Sequence, residues 1–373
     1  MNTLAETRIL HIPRPFKLES GDCLPELDIA YETYGEFRGD NAILIEHALS
    51  GDAHAAFYHA GENKPGWWDV MIGPGKAFDT DRYFIICSNC LGGCQGTTGP
   101  SSPDPATGRP YGLSFPPITI RDMADVQRAL LADLGVERLV CVAGGSMGGM
   151  QALQFFCDYS TMCAAFICIA SALKHSAQQI AFNEVGRRAI MADPRWNEGR
   201  YYADVPPEAG LSVARMIGHI TYLSEKLMQE KFGRTRKDRH VPNIFRPSFE
   251  IEHYLDYQGI AFVKRFDANS YLYITNAIDN FDLITSISGT GRTRGEGRAR
   301  GDIEDLRRKK GLVITFTSDW LYPPAQGREI VRFCNALHVH TSFTAINSEH
   351  GHDSFLTDTR TQSEYIRGFL NAI

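Results

Sequence analysis

The chemistry open to this sequence rests on a serine, an acid and a histidine that follow one another along the chain. Ser146 stands in Gly144-Gly145-Ser146-Met147-Gly148-Gly149, a G-x-S-x-G match with further glycines around it. The apolar, β-branched run Leu139–Ala143 ahead of it reads as a short buried strand, and Met150, Leu153 and Gln154 behind it continue at helical spacing. Strand, sharp glycine turn and helix form the context in which this motif carries a nucleophile. The turn lifts the hydroxyl above the sheet, at a helix N-terminus whose backbone N–H groups stabilise a developing oxyanion. The bland alternative is a Gly/Ser turn joining a strand to a helix. A serine hydroxyl needs a base and an acid to orient that base. Asp319 lies just past the strand-like run Leu312–Phe316, and the run Thr341–Ile346 leads into Asn347–Asp353, where His350 and His352 compete. His352 is favoured because it follows Gly351 and precedes the helix-start pattern Asp353–Leu356.

The elements that must hold these residues are legible as a periodic pattern. Alternation over Leu27–Tyr34 predicts antiparallel edge strands, and Asn41–His47, Tyr83–Cys87 and Cys163–Ala170 read as buried strands. Ile118–Leu134 predicts a helix capped by Thr119, leading straight into the Ser146 strand. Buried strands alternating with helical spacers imply a mostly parallel, doubly wound sheet. Strand signal then vanishes from about Lys174 to Gly301, where Ala177–Ala192, Ser212–Phe232 and Phe249–Asn269 read as helical. The expected division is an α/β core over 1–173 and 302–373, with a helical insertion over 174–301.

Composition narrows the function classes. The 373 residues carry 38 basic and 44 acidic side chains, net −6, which argues against nucleic acid as a partner. No apolar run reaches the length of a membrane span, and the first residues lack a signal-peptide pattern, so a soluble cytoplasmic enzyme is expected. Nine cysteines, several inside apolar runs, read as buried hydrophobes in a reducing compartment. No metal site is expected: Cys87-x-x-Cys90-x-x-x-Cys94 lacks a second ligand pair, and His350-Gly351-His352-Asp353 is too short for a histidine-aspartate metal motif. Gly73-Pro74-Gly75-Lys76 is too short for a phosphate loop, and the arginines of Gly289–Asp302 have no interleaved aromatics for RNA.

Beyond these local patterns, HALSGDAH (His47–His54), LGGCQGTTGPSSPDP (Leu91–Pro105), GGSMGGMQAL (Gly144–Leu153), ARMIGHITYLSE (Ala214–Glu225), SDWLYPP (Ser318–Pro324) and GHDSFL (Gly351–Leu356) together resemble the homoserine O-acetyltransferases of the α/β-hydrolase fold. The resemblance runs from about residue 10 onward. It implies acetyl transfer from acetyl-CoA, a co-substrate rather than a bound cofactor, to the hydroxyl of L-homoserine in methionine synthesis. It also implies a helical lid after the sixth strand and a homodimer formed through the lids.

Carried over by residue, the resemblance makes Ser146 the nucleophile, Asp319 the orienting acid and His352 the base, with the backbone N–H groups of Leu49 and Met147 as the oxyanion hole. Arg215 matches the clamp of the homoserine carboxylate, and Tyr222, on the same helix face, and Asp353 match partners of the amino acid's polar end, Asp353 holding the ammonium. A solvated lid arginine is the reading Arg215 would receive from spacing alone. Relatives that use succinyl-CoA tend to carry arginine where this chain has Leu321, so acetyl is preferred. Succinyl transfer, serine as acceptor, and an esterase or thioesterase remain the alternatives, and a non-enzymatic binding protein is disfavoured because all three triad residues are present.

Overall fold

The computed structural model describes residues 3–237, 248–288 and 303–373. Its strands, in chain order, are β1 (Arg8–Ile12), β2 (Phe16–Lys17), β3 (Cys23–Leu24), β4 (Leu27–Tyr34), β5 (Ala42–Glu46), β6 (Phe84–Ser88), β7 (Leu139–Gly145), β8 (Ala165–Ile169), β9 (Lys310–Phe316) and β10 (His340–Ile346). Eight of them form one sheet in the order β1-β4-β6-β5-β7-β8-β9-β10, while β2 and β3 make a small separate ribbon. The six strands from β6 to β10 in that order pair parallel, and β1 and β4 form an antiparallel edge.

The sheet is covered on both faces because its strands are apolar on both. Leu44, Val142, Phe166 and Val313 point into one core, and Ile43, Cys141, Ile167 and Ile314 point into the other. The first core is roofed by α1 (Ile120–Asp133) and α2 (Met147–Asp158). Thr119 caps α1 in a reciprocal capping box with Asp122. Cys141, Cys163 and Cys168 are fully buried in these cores.

Between β8 and β9 the described chain is helical: α3 (Ala177–Ala192), α4 (Glu208–Tyr222), α5 (Glu225–Lys231), α6 (Glu250–Val263), α7 (Ala268–Asp279), α8 (Leu283–Ser288) and the short α9 (Ile303–Leu306). Two stretches expected as single helices are broken. Ser212–Phe232 divides at Leu223, whose extended backbone ends α4, and the Ser224 side chain then caps α5 by accepting the Leu227 N–H. Phe249–Asn269 divides ahead of Asp267, whose carboxylate caps α7 at Ser270. In both cases a side chain that satisfies the free N–H groups of a new helix outweighs continued periodicity. The arginine-rich stretch Gly289–Asp302 lies outside the described residues, as does the end of the expected insertion. After β9 come α10 (Pro324–Ala336), α11 (Ser354–Thr357) and α12 (Thr359–Leu370).

Candidate active site

Ser146 follows β7 with φ 58° and ψ −124°, left-handed backbone that side chains adopt at a cost. The conformation is held from both sides. The Ser146 N–H donates to the Ile169 carbonyl at 2.9 Å, and the Ser171 hydroxyl donates to the Ser146 carbonyl at 2.7 Å. The glycines follow from close approach: a Cβ on Gly148 would lie 2.1 Å from the Glu46 carbonyl oxygen, and one on Gly144 would lie 2.3 Å from that of Gly148. Strand β5 and helix α2 touch backbone to backbone here, and only glycine permits it.

Asp319 and His352 come from the loops after β9 and β10, so all three side chains project beyond the carboxyl ends of parallel strands, where open α/β sheets bind ligands. His352 Nδ1 lies 2.8 Å from Asp319 Oδ2, and His352 Nε2 lies 2.9 Å from Ser146 Oγ. An ionised carboxylate only accepts, so Nδ1 carries the proton and Nε2 is left to accept from the serine hydroxyl. The other carboxylate oxygen of Asp319 accepts the backbone N–H groups of Leu321 at 3.0 Å and Tyr322 at 2.8 Å. The side chains of His352 and Asp319 are buried, whereas Ser146 retains partial exposure. His350 turns away and bonds Thr357 at 2.9 Å.

Leu49 sits in the turn after β5. His47 shapes that turn: its Nε2 accepts the Cys90 N–H at 2.9 Å, which leaves Nδ1–H to donate to the Ala48 carbonyl at 2.7 Å. Burial holds the His47 pKa below the ordinary imidazole value, consistent with the neutral form these bonds require. Among the described residues, the backbone N–H groups of Leu49 and Met147 have no acceptor.

Arg215 and Tyr222 share one face of α4. The guanidinium lies 5.7 Å from the Tyr222 ring centroid and 4.7 Å from that of Phe262, with Nη1 3.4 Å from Ser50 Oγ. Among the described residues, Arg215 has no carboxylate partner, and its Nε is buried without an acceptor. A second arginine, Arg265, donates to the Ser50 carbonyl at 2.8 Å and lies 5.3 Å from the Phe262 ring on its own account. Burial and the neighbouring Arg215 charge depress its pKa. Asp353 has its pKa raised by burial, against the pull of His352 and Arg215. The Tyr222 pKa is raised by burial, with the Arg215 charge pulling it down and the Asp353 charge pushing it up, and its ring centroid is 5.8 Å from that of His352.

Sequence reasoning missed several groups around this site. His47 sits in HALSGDAH with no spacing signal of its own. Tyr322 donates to or accepts from His175 Nε2 at 2.6 Å, and His175 Nδ1 lies 2.8 Å from Asp279. These three come from separate elements, so no local pattern links them. Glu32, His54 and His59 form the one cluster among the described residues able to offer three metal ligands. Its carboxylate already takes hydrogen bonds from Thr7, Tyr34 and both imidazoles at 2.7–3.0 Å, which satisfies its lone pairs without an ion.

Serine on a strained strand-to-helix turn, with a buried Asp–His pair from later strand ends, is the arrangement of an α/β hydrolase, and a family model of the alpha/beta hydrolase fold matches residues 41–359. The chain is 51% identical to the homoserine O-acetyltransferase of Methanosalsum zhilinae, over 99% of this chain and 74% of that one. Among solved structures, homoserine O-acetyltransferase from Bacillus anthracis superposes with a TM-score of 0.88 at 28% identity, covering 99% of this chain and 98% of that one. The structure of esterase E22 superposes with a TM-score of 0.86 at 30% identity, covering 98% and 100%. The chain belongs to the homoserine O-acetyltransferase family within the α/β-hydrolase fold.

Proposed function

We propose that the protein transfers an acetyl group from acetyl-CoA to the hydroxyl of L-homoserine through an acetyl-serine intermediate. The observation that carries this reading is the continuous Asp319–His352–Ser146 hydrogen-bond chain, together with the Met147 and Leu49 backbone N–H groups that have no acceptor among the described residues. His352 Nε2 takes the Ser146 proton as Oγ attacks the thioester carbonyl, and the oxyanion settles against the N–H groups of Met147 and Leu49. The C–S bond breaks, His352 returns the proton to sulfur, and CoA leaves as the thiol. The homoserine hydroxyl then gives its proton to His352 and attacks the acetyl carbon. His352 finally returns that proton to Ser146 as O-acetylhomoserine departs.

An alcohol acceptor must outcompete water. The arginine without a carboxylate partner suits a carboxylate ligand, since guanidinium binds carboxylate in two parallel hydrogen bonds. Arg215 and Asp353 would grip the two charged ends of homoserine, with Tyr222 between them, and hold its hydroxyl at the acetyl carbon. The described helices α3 to α8 act as a lid over this space. Val185, Val213, Ile220, Tyr257 and Ile260 are exposed apolar side chains on α3, α4 and α6, and they support a homodimer joined through the lids. The apolar Leu321 favours acetyl over succinyl, whose extra carboxylate would find no cation from that residue. Acetyl-CoA is a co-substrate in this scheme, and a cytoplasmic location is expected; among the described residues no helix is long and apolar enough to cross a membrane.

The likeness to esterase E22 favours one second reading, hydrolysis at the same serine. Intact-protein mass spectrometry after mixing with acetyl-CoA or, separately, succinyl-CoA, each chased with L-homoserine or with buffer, separates the two. The expected result is an acetyl adduct, absent in Ser146→Ala, that homoserine discharges to O-acetylhomoserine much faster than buffer does. Equal discharge in buffer makes the protein a hydrolase, and an adduct formed only from succinyl-CoA overturns the assignment from Leu321.

A further inference from the structure

Tyr322 touches the triad in three ways, one of them an interaction of its hydroxyl with the Ser146 side chain, and is tied to the helical segment in a fourth. Its backbone N–H donates to Asp319 Oδ1 at 2.8 Å, and its ring packs on His352 with centroids 5.0 Å apart and planes 30° from parallel. Its hydroxyl meets His175 Nε2 at 2.6 Å. His175 in turn sets Nδ1 2.8 Å from Asp279 Oδ1, and Asp279 is held by Arg187 at 2.6 Å and Asn183 at 2.7 Å, both on α3. The carboxylate accepts from Nδ1–H, so Nε2 is an acceptor and the phenol donates to it. The result is a buried Asp279–His175–Tyr322 chain that copies the linkage of Asp319–His352–Ser146 and ends against it. A second tie runs in parallel, because Gln179 Nε2 donates to the Leu321 carbonyl at 2.7 Å. The turn bearing the acid is therefore gripped at consecutive residues by the beginning of α3.

We infer that Tyr322 is a positioning residue for acyl transfer, braced by His175 and Asp279, so that the placement of Asp319 and His352 is set from the helical segment as well as from the strand ends. The inference rests on the proposed role of Ser146 as nucleophile. It goes beyond that role by making the rate of serine acylation depend on a hydroxyl that takes no part in the bonds being made or broken. Tyr322→Phe removes one oxygen, and with it both the bond to His175 and the contact with Ser146, and keeps the ring on His352 and the backbone N–H on Asp319. His175 is not in contact with the triad at all.

The test is the pre-steady-state rate at which p-nitrophenyl acetate acylates Ser146, measured with substrate KM for the full-length protein, its Tyr322→Phe and His175→Gln variants and the double variant. A small activated ester needs neither the CoA nor the homoserine contacts. The expected result is an acylation rate about threefold to tenfold slower in each single variant, the scale of one neutral hydrogen bond. KM stays unchanged, and the double variant is no slower than the slower single one, because both break the same chain. Acylation at the wild-type rate in either single variant, or effects that multiply in the double variant, overturns the inference while leaving Ser146 as nucleophile. A wild-type protein that is not acylated at Ser146 overturns the function reading, and the inference with it.

Discussion

The molecule contains two Asp–His–hydroxyl chains of the same connectivity, and they differ in everything but that connectivity. In Asp319–His352–Ser146 the carboxylate is fed by two backbone N–H groups and, among the described residues, meets no arginine or lysine. In Asp279–His175–Tyr322 the carboxylate is shared with Arg187. An acid already neutralised by a guanidinium gives less support to a positive imidazole, so the second chain is poor at storing a proton in mid-reaction. The terminal hydroxyls differ as well. Ser146 sits on left-handed backbone with partial exposure, while Tyr322 is only 4% exposed. Hydrogen-bond pattern alone therefore does not make a nucleophile. On the proposed reading, backbone placement, access and an uncompensated acid single out Ser146.

The largest effect that would break this comparison is at the hydroxyl itself. Ser146→Ala and His352→Ala should each lower kcat by about 10⁶, with the double variant little worse, whereas Tyr322→Phe should fall far short of that. Next come the acids. Asp319→Asn should cost about 10⁴ in kcat by fixing the wrong imidazole tautomer. Asp279→Asn should cost no more than about tenfold, the scale of a neutral hydrogen bond; equal losses from the two substitutions would erase the distinction drawn above. Arg215→Ala should raise the homoserine KM by about 10- to 100-fold, as expected for a charge-assisted hydrogen bond, and shift the acetyl-enzyme toward water, read as acetate released per O-acetylhomoserine formed.

The smallest effect concerns pH. Burial raises the Asp353 pKa, and only its ionised form attracts an ammonium. As pH falls, Asp353 therefore begins to protonate above the usual carboxylate range, and the homoserine KM should rise over that window while wild-type acylation by p-nitrophenyl acetate changes less. Asp353→Asn should show a high homoserine KM with that pH dependence removed. A wild-type KM that stays flat there would remove Asp353 from ammonium binding.

How much of this was legible in the sequence follows from the range of each signal. The Ser146 turn was readable because strand, glycines and helix are contiguous, and β9 and β10 announced themselves as apolar runs ending in Asp319 and the His350–His352 pair. Preference for His352 over His350 rested on its place after Gly351 and ahead of the helix-start pattern Asp353–Leu356, and the structure brings only His352 to Ser146 and Asp319. The helix breaks at Leu223 and before Asp267 were hidden because periodicity does not register a side chain that caps the next helix. Tyr322, His175 and Asp279 were invisible for a different reason. They lie on three elements, 104 and 147 positions apart along the chain, and nothing in a local window marks a hydrogen bond across such distances.

Ser146 and His352 are separated by 206 positions. Synthesis runs from the N-terminus, so the strand, turn and helix around Ser146 exist on the ribosome well before β9 and β10 emerge to supply the acid and base. On the proposed mechanism, the serine until then lacks the base and the acid that would activate it. If the three residues act as proposed, spreading them over three strand ends acts as a timer: reactivity waits for the last parallel pairing of the sheet, and a chain stalled before that point stays chemically silent.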